Sequence, residues 1–356
     1  MNKRILKLKK MLASHRQLPY LVSDLTNIRY LTGFTGSYAR LVVGENDSFF
    51  ISDSRYEEYV RSILPSPVRF ALQEGEFLAL LENELKKRGM KTLYCESHSM
   101  SLSSFIDMKT KIRGIKIFPG HDVVNELRMI KDDSEIEIIR EAAAITDRCV
   151  DHLVKTVTPG MREWDVALEV EYFYRKNGCR RTSFDTIVAS GHNSSMPHYE
   201  TSMEKKIRKG DVLLIDMGCN YRGYNSDLTR TLFMNSIDPS VEKIYHVVKR
   251  AQQAALDAVR PGISTGKLDA IARNIIAQEG YGRYFGHSLG HGLGLDIHEL
   301  PAVKSGDLAL KKNMVITIEP GIYLPGVGGV RIEDMVLVTG RGHEVLTKSS
   351  KDILVL

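Results

Sequence analysis

Val212-Leu213-Leu214-Ile215-Asp216-Met217-Gly218 and Val315-Ile316-Thr317-Ile318-Glu319-Pro320-Gly321 are one pattern written twice: an apolar run of strand composition that closes on an acid. An ionised carboxyl in such a run is costly to bury unless a partner or a cation compensates it. Upstream, each run follows the same two helical patterns. The first pair breaks at Val157-Thr158-Pro159-Gly160 and closes at Asn177-Gly178. The second opens at Asp238-Pro239, breaks at Val259-Arg260-Pro261-Gly262 and closes at Glu279-Gly280. The Pro-Gly steps lie about 102 residues apart, each at the same distance from its closing glycine. Agreement in order, spacing and terminal acid predicts two copies of a helix-helix-strand-strand unit. The expected result is an α+β domain with an internal pseudo-twofold repeat and a shared central sheet. Its opening helix is expected to start at a capping box, Ser134-x-x-Glu137, with Ile136, Ile139, Ala143, Val150 and Leu153 as the apolar stripe.

The residues before this repeat read differently. Short β-rich runs (Tyr20–Val22, Arg40–Val43, Ser48–Ser52, Val68–Ala71, Thr92–Cys95 and Ile115–Phe118) alternate with helical spacing such as Glu76–Lys87. That alternation predicts an α/β domain. Phe118-Pro119-Gly120 is expected to break the last strand, and the two domains are placed at 1–124 and 125–356.

Length and composition agree with two soluble globular domains: 356 residues, 43% hydrophobic and 26% charged. Well-mixed charges with a net of only +5 give no reason to expect a nucleic-acid partner. The lysine-rich N-terminus lacks a signal-peptide core, and Ile5, Leu8 and Leu12 mark an ordinary amphipathic helix. No apolar run is long enough to span a membrane. Four scattered cysteines (Cys95, Cys149, Cys179 and Cys219) read as reduced thiols of a cytoplasmic protein.

Downstream of each strand-ending acid lies a second one. Asp227 follows Asp216 by eleven residues, in Ser226-Asp227-Leu228-Thr229-Arg230-Thr231, and Glu333 follows Glu319 by fourteen, in Val330-Arg331-Ile332-Glu333-Asp334. Folding of the repeat would gather all four between its halves, where they cannot all remain ionised without cations. Two divalent ions would neutralise them, and an oxygen-rich set suits Mn, Co, Fe or Zn. A further ligand is sought among His287, His291 and His298 on the glycine-rich path Gly286–Glu299, with His198 as another candidate.

The run GDVLLIDMG, SDLTRT, HGLGLDIHELP, ITIEPG and GVRIED resembles the metallopeptidases of the pita-bread fold, and among them the Xaa-Pro peptidases, aminopeptidase P and prolidase. The likeness covers residues 130 to about 350. Asn27-Ile28-Arg29-Tyr30-Leu31-Thr32-Gly33-Phe34 resembles the creatinase-type N-terminal domain of the same subfamily. The resemblance implies two divalent ions, with Mn expected and Co, Zn or Fe as alternatives. Their ligands would be Asp216, Asp227, His291, Glu319 and Glu333, with Asp227 and Glu333 bridging. It also implies catalytic roles for His198, His298 and Glu319, and substrate binding by His198, His287, His298 and Arg331. Arg331, two residues before Glu333, is expected on the same strand face, able to orient that carboxylate.

The activity so implied is removal of an N-terminal residue followed by proline, by an Xaa-Pro aminopeptidase. The alternative is an Xaa-Pro dipeptidase acting on dipeptides only, and a minor one is a non-catalytic binding protein on the same fold. Some similar prolidases carry an arginine directly after the HExP stretch. Its place is taken by Ala302 in His298-Glu299-Leu300-Pro301-Ala302, which favours longer substrates. The expected partners are peptides with proline second and a second copy of the chain in a homodimer.

Overall fold

The computed structural model describes residues 3–356. They pack as two compact units, the first ending at Arg128 and the second spanning Met129–Leu356.

The first unit is built on a six-stranded sheet in the order Arg69–Gln73, Phe49–Asp53, Arg40–Val43, Tyr20–Val22, Thr92–Glu96, Lys116–Gly120. Leu21, Val42, Phe49, Ile51, Leu93 and Cys95 alternate onto one face and pack under the helices Phe77–Lys87 and Leu102–Lys111, with Leu81, Leu85 and Met108. The opening helix Lys3–Ser14 buries Ile5, Leu8 and Leu12, so its apolar stripe is taken up by the protein. The last strand does not break at Phe118-Pro119-Gly120, as expected, but pairs through Pro119 to Gly120. It is the edge strand, where the missing proline N–H costs no ladder bond. A boundary after residue 124 would cut the helix Val123–Arg128. That helix stays with the first unit because buried Arg128 donates to Asn27 Oδ1 at 2.7 Å.

The second unit contains the repeat. Its first copy runs through helices Asp133–Thr156 and Glu163–Lys176 to strands Ile187–Ser190, Val212–Met217 and Leu228–Phe233. Its second runs through Pro239–Ala258 and Thr265–Gln278 to Gly290–Gly292, Val315–Ile318 and Asp334–Val338. In both, the strand leading to the first acid sits in the middle of an antiparallel trio. Each helix pair covers its own strands. Cys149, Leu153, Val166 and Val170 pack on Leu213 and Ile215, while Val248, Ala251, Leu256 and Leu268 pack on Ile316 and Val336. The copies also interpenetrate: Val212 and Phe233 join the second core, while Leu354 and Leu356 return to pack on the first. Phe233 N donates to Leu354 O at 3.0 Å and Leu356 N to Phe233 O at 2.7 Å, lining the edge of Leu228–Phe233.

Two local expectations are corrected. The capping box lies two residues earlier: Asp132 Oδ1 accepts from Glu135 N at 3.0 Å, and Glu135 Oε2 accepts from Asp132 N at 2.9 Å. Ser134 is already helical and donates to Asp132 Oδ1 instead. The expected shared sheet is divided into separate ladders. Strands stop at Ile318 and Arg331, and Pro320, which cannot donate, helps end the first. Single bonds then join the copies, such as Glu333 N to Thr229 O at 3.2 Å and Thr231 Oγ1 to Arg331 O at 3.0 Å.

Buried Asp334 ties the second copy to Arg230 of the first. Its Oδ1 accepts from Arg230 Nη2 at 2.7 Å and Thr347 Oγ1 at 2.9 Å, and its Oδ2 from Gln252 Nε2 at 2.7 Å and Lys351 Nζ at 2.9 Å. Burial works to raise its carboxyl, yet Arg230 and Lys351 outweigh it and hold the group below the ordinary carboxylate value. Asp334→Asn should cost about 3–5 kcal/mol in denaturant unfolding, because it strands buried cations. The sign for pH follows from the depressed value. The contribution is complete above the unfolded value of about 4 and is lost as pH falls through the folded one.

Candidate metal centre

Both acids of each copy sit where a ladder begins or ends. Asp216 is the fifth residue of Val212–Met217, and Asp227 immediately precedes Leu228–Phe233. Glu319 follows Val315–Ile318, and Glu333 lies between Gly328–Arg331 and Asp334–Val338. His291 is the middle residue of Gly290–Gly292. A Cβ on Gly290 would fall 2.0 Å from Thr317 O and one on Gly292 2.2 Å from Leu300 O, so only glycines let this strand lie so close to its neighbours.

The nine site residues expected from sequence converge on one cavity of about 540 Å³: His198, Asp216, Asp227, His287, His291, His298, Glu319, Arg331 and Glu333. Donor atoms of Asp227, His291 and Glu333 lie within 4.8 Å of one another. His291 Nε2 is 3.4 Å from Asp227 Oδ2 and 3.4 Å from Glu319 Oε1. The other ring nitrogen, Nδ1, faces Gly292 O at 3.0 Å and donates there, which leaves the Nε2 lone pair turned toward the carboxylates. Asp216 and Glu333 are each pinned by one oxygen: Asp216 Oδ2 by Arg331 Nη2 at 2.7 Å, Glu333 Oε2 by Thr229 Oγ1 at 2.7 Å. Their second oxygens, Asp216 Oδ1 and Glu333 Oε1, are buried with no hydrogen-bond partner among the described residues. Orphaned acceptors and an inward imidazole lone pair are what divalent cations satisfy, so these residues fit the metal ions that the donor types imply.

Burial, then the charges of Asp216 and Glu319, hold the Asp227 carboxyl well above its ordinary value. Burial, then Asp227, does the same to Glu333. Glu319 is raised by burial despite His291 and Arg331.

Arg331 does not orient Glu333 directly. The strand ends at Arg331, so alternation no longer places the two side chains together. Its guanidinium instead holds Asp216, Tyr323 OH at 2.8 Å and Thr229 Oγ1 at 3.0 Å, reaching Glu333 only through Thr229. His287 is engaged at both nitrogens, Nδ1 with Ser288 O at 2.8 Å and Nε2 with Tyr323 OH at 2.9 Å. Burial and then Arg331 push its pKa down to about 4, so the ring is neutral near pH 7. The His298 ring meets His291 edge-on at 4.3 Å, and burial followed by His291 lowers its pKa. His198 and His298 are exposed to the cavity.

Sequence reading missed Thr229, Tyr323 and Lys304. Thr229 carried a signal, lying two residues beyond Asp227 and thus on its face. Tyr323 and Lys304 carried none.

Residues 137–340 match Metallopeptidase family M24, and residues 4–130 match the Creatinase/Prolidase N-terminal domain. The chain is 40% identical over 360 residues to an Xaa-Pro dipeptidase of Pyrococcus horikoshii, covering 99% of each. Its fold is similar to a solved Xaa-Pro dipeptidase from Bacillus anthracis, with a TM-score of 0.96, 37% identity and 99% of each chain covered. It is also similar to an X-Pro aminopeptidase from Thermotoga maritima, with a TM-score of 0.88, 36% identity and 97% and 99% covered.

Carboxyls raised by folding have a stability signature. Without metal, native Asp227 and Glu333 hold protons that the unfolded chain has lost, so their contribution falls as pH rises above about 4. Melting curves of metal-stripped protein should therefore show Asp227→Asn with Glu333→Gln gaining on wild type as pH rises. Added Mn should stabilise wild type alone. A constant difference across pH 4 to 8 would contradict the raised values.

Proposed function

Because the chain belongs to metallopeptidase family M24, we propose that it is an Xaa-Pro dipeptidase that cleaves dipeptides with proline second. The observation that carries this reading is the full-length likeness to Xaa-Pro dipeptidases, which supports it over the aminopeptidase expected first. The cavity supplies a chemical basis. Besides Arg331, which is fully engaged, Lys304 is the one lysine or arginine lining it, and no hydrogen bond or ion pair engages its ammonium among the described residues. Lys304 directly follows the strand Glu299–Val303, whose Ala302 is the ladder partner of His291, and lines the same cavity. A free ammonium there suits the carboxylate that ends a dipeptide and that longer peptides lack at this place.

Asp216, Asp227, His291, Glu319 and Glu333 would hold two divalent ions in this reading, with Mn as the expected metal. Such ions, when bound, supply Lewis acidity and a water of lowered pKa. Glu319 would be the carboxylate that shares or accepts a proton from the attacking water. The nitrogen of an Xaa-Pro bond carries no hydrogen, so the leaving proline must receive a proton, and His198 and His298 stand exposed in the cavity to handle it. Neutral His287 holds Tyr323, which fixes Arg331 against Asp216. Four free, buried thiols accord with a cytoplasmic setting, and a homodimer is the assembly proposed.

His198→Ala and His298→Ala should each lower kcat by about a hundred- to ten-thousandfold with metal content kept, whereas His291→Ala should lose metal as well. Metal analysis beside steady-state kinetics separates the two classes. Substrate length is tested with Mn present on Xaa-Pro, its C-terminal amide and Xaa-Pro-Yaa. The free dipeptide should be preferred at least tenfold, and Lys304→Met should erase that preference. Equal rates on all three would make the protein an aminopeptidase.

A further inference from the structure

Glu163, the first residue of the helix Glu163–Lys176, is wholly buried and enters no ion pair among the described residues. A carboxylate so placed must be satisfied by neutral donors alone. Its Oε1 accepts from Ser190 N and Ser190 Oγ at 2.7 Å each and from Asn193 Nδ2 at 3.3 Å. Its Oε2 accepts from Tyr199 OH at 2.9 Å and Ser202 N at 3.3 Å. Asn193 Nδ2 also donates to Tyr199 OH at 2.8 Å, bracing the group internally. These donors bracket one segment on both sides of His198, which projects into the cavity. No hydrogen bond from the protein holds the His198 ring among the described residues, so its place depends on how firmly the flanking backbone is tied.

The second copy repeats the device. Asp269, on the matching helix Thr265–Gln278, accepts from Leu289 N at 3.1 Å and pairs with Arg273. Arg273 in turn donates to Phe285 O at 3.0 Å and His287 O at 2.9 Å, fixing the segment that bears His287. In each half the second helix thus carries an acid that organises a histidine-bearing segment. Only in the first half is the organised histidine free to meet a substrate.

We propose that Glu163 is the positioning residue for His198, presenting its ring to the leaving proline nitrogen. The inference rests on the role given to His198 above. A double-mutant cycle of Glu163→Gln with His198→Ala, read as kcat/KM on an Xaa-Pro dipeptide with Mn, tests it. Glutamine keeps the shape but turns an amide toward two of the donors. Glu163→Gln should lower kcat/KM roughly tenfold or more in the otherwise native protein and less than about twofold where His198 is already alanine. Metal content should be unchanged in both. Should Glu163→Gln fail to fold, Tyr199→Phe, which removes one donor, carries the same cycle with a smaller first loss and again none in the His198→Ala background. Equal factors in the two backgrounds would overturn the proposal and leave Glu163 a structural acid. Full activity of His198→Ala alone would instead overturn the role of His198, and this inference with it.

Discussion

Four carboxylates facing one another at low dielectric set the terms for everything else in the second unit. Like charges so close cannot all be kept without cations, and the protein does not soften the conflict by pairing each acid away. It grants one oxygen of Asp216 to Arg331 and one oxygen of Glu333 to Thr229, and leaves the opposite oxygens bare. The ladders end where these acids stand, so backbone pairing gives way to side-chain chemistry at the boundary between the copies. Tyr323, Thr229 and Arg331 then serve as a frame that aims the acids while its one cation balances only the charge of Asp216.

Much of this arrangement was legible in sequence because it is periodic. An acid closing an apolar run is conspicuous once, and decisive when the same helix pair precedes it twice. The stripe Ile136, Ile139, Ala143, Val150 and Leu153 is buried as its spacing requires. Features that depend on which neighbour arrives in space were not legible. Asp132 and Ser134 are both good caps, and only the reach of Glu135 back to Asp132 N decides between them. Pro119 reads as a breaker unless one knows its strand lies at an edge. Arg331 and Glu333 share a face only in an uninterrupted strand, and the strand stops between them. Glu163 acts through partners tens of residues away, Tyr323 through His287 and Arg331, and Lys304 through its place on the cavity wall, and no local pattern announces any of these.

The histidines show how environment separates side chains that the sequence leaves equivalent. His287 is engaged at both nitrogens, half-buried, beside a guanidinium, and so is neutral. His291 gives one nitrogen to a backbone carbonyl and turns the other to the acids. His198 and His298 remain open to the cavity. Three distinct chemistries thus come from one residue type, through burial and the choice of hydrogen-bond partner.

The edge strand Leu228–Phe233 is completed by residues 354–356, which return from the far side of the second copy to pair with Phe233. On a ribosome, the first copy would therefore emerge with an open strand edge and with Val212 and Phe233 lacking the core they belong to. It would stay in that condition until the whole second copy had been made. A centre that draws its acids from both copies can form only after Glu333 has been made, so a chain holding the first copy alone has no half-built hydrolytic site.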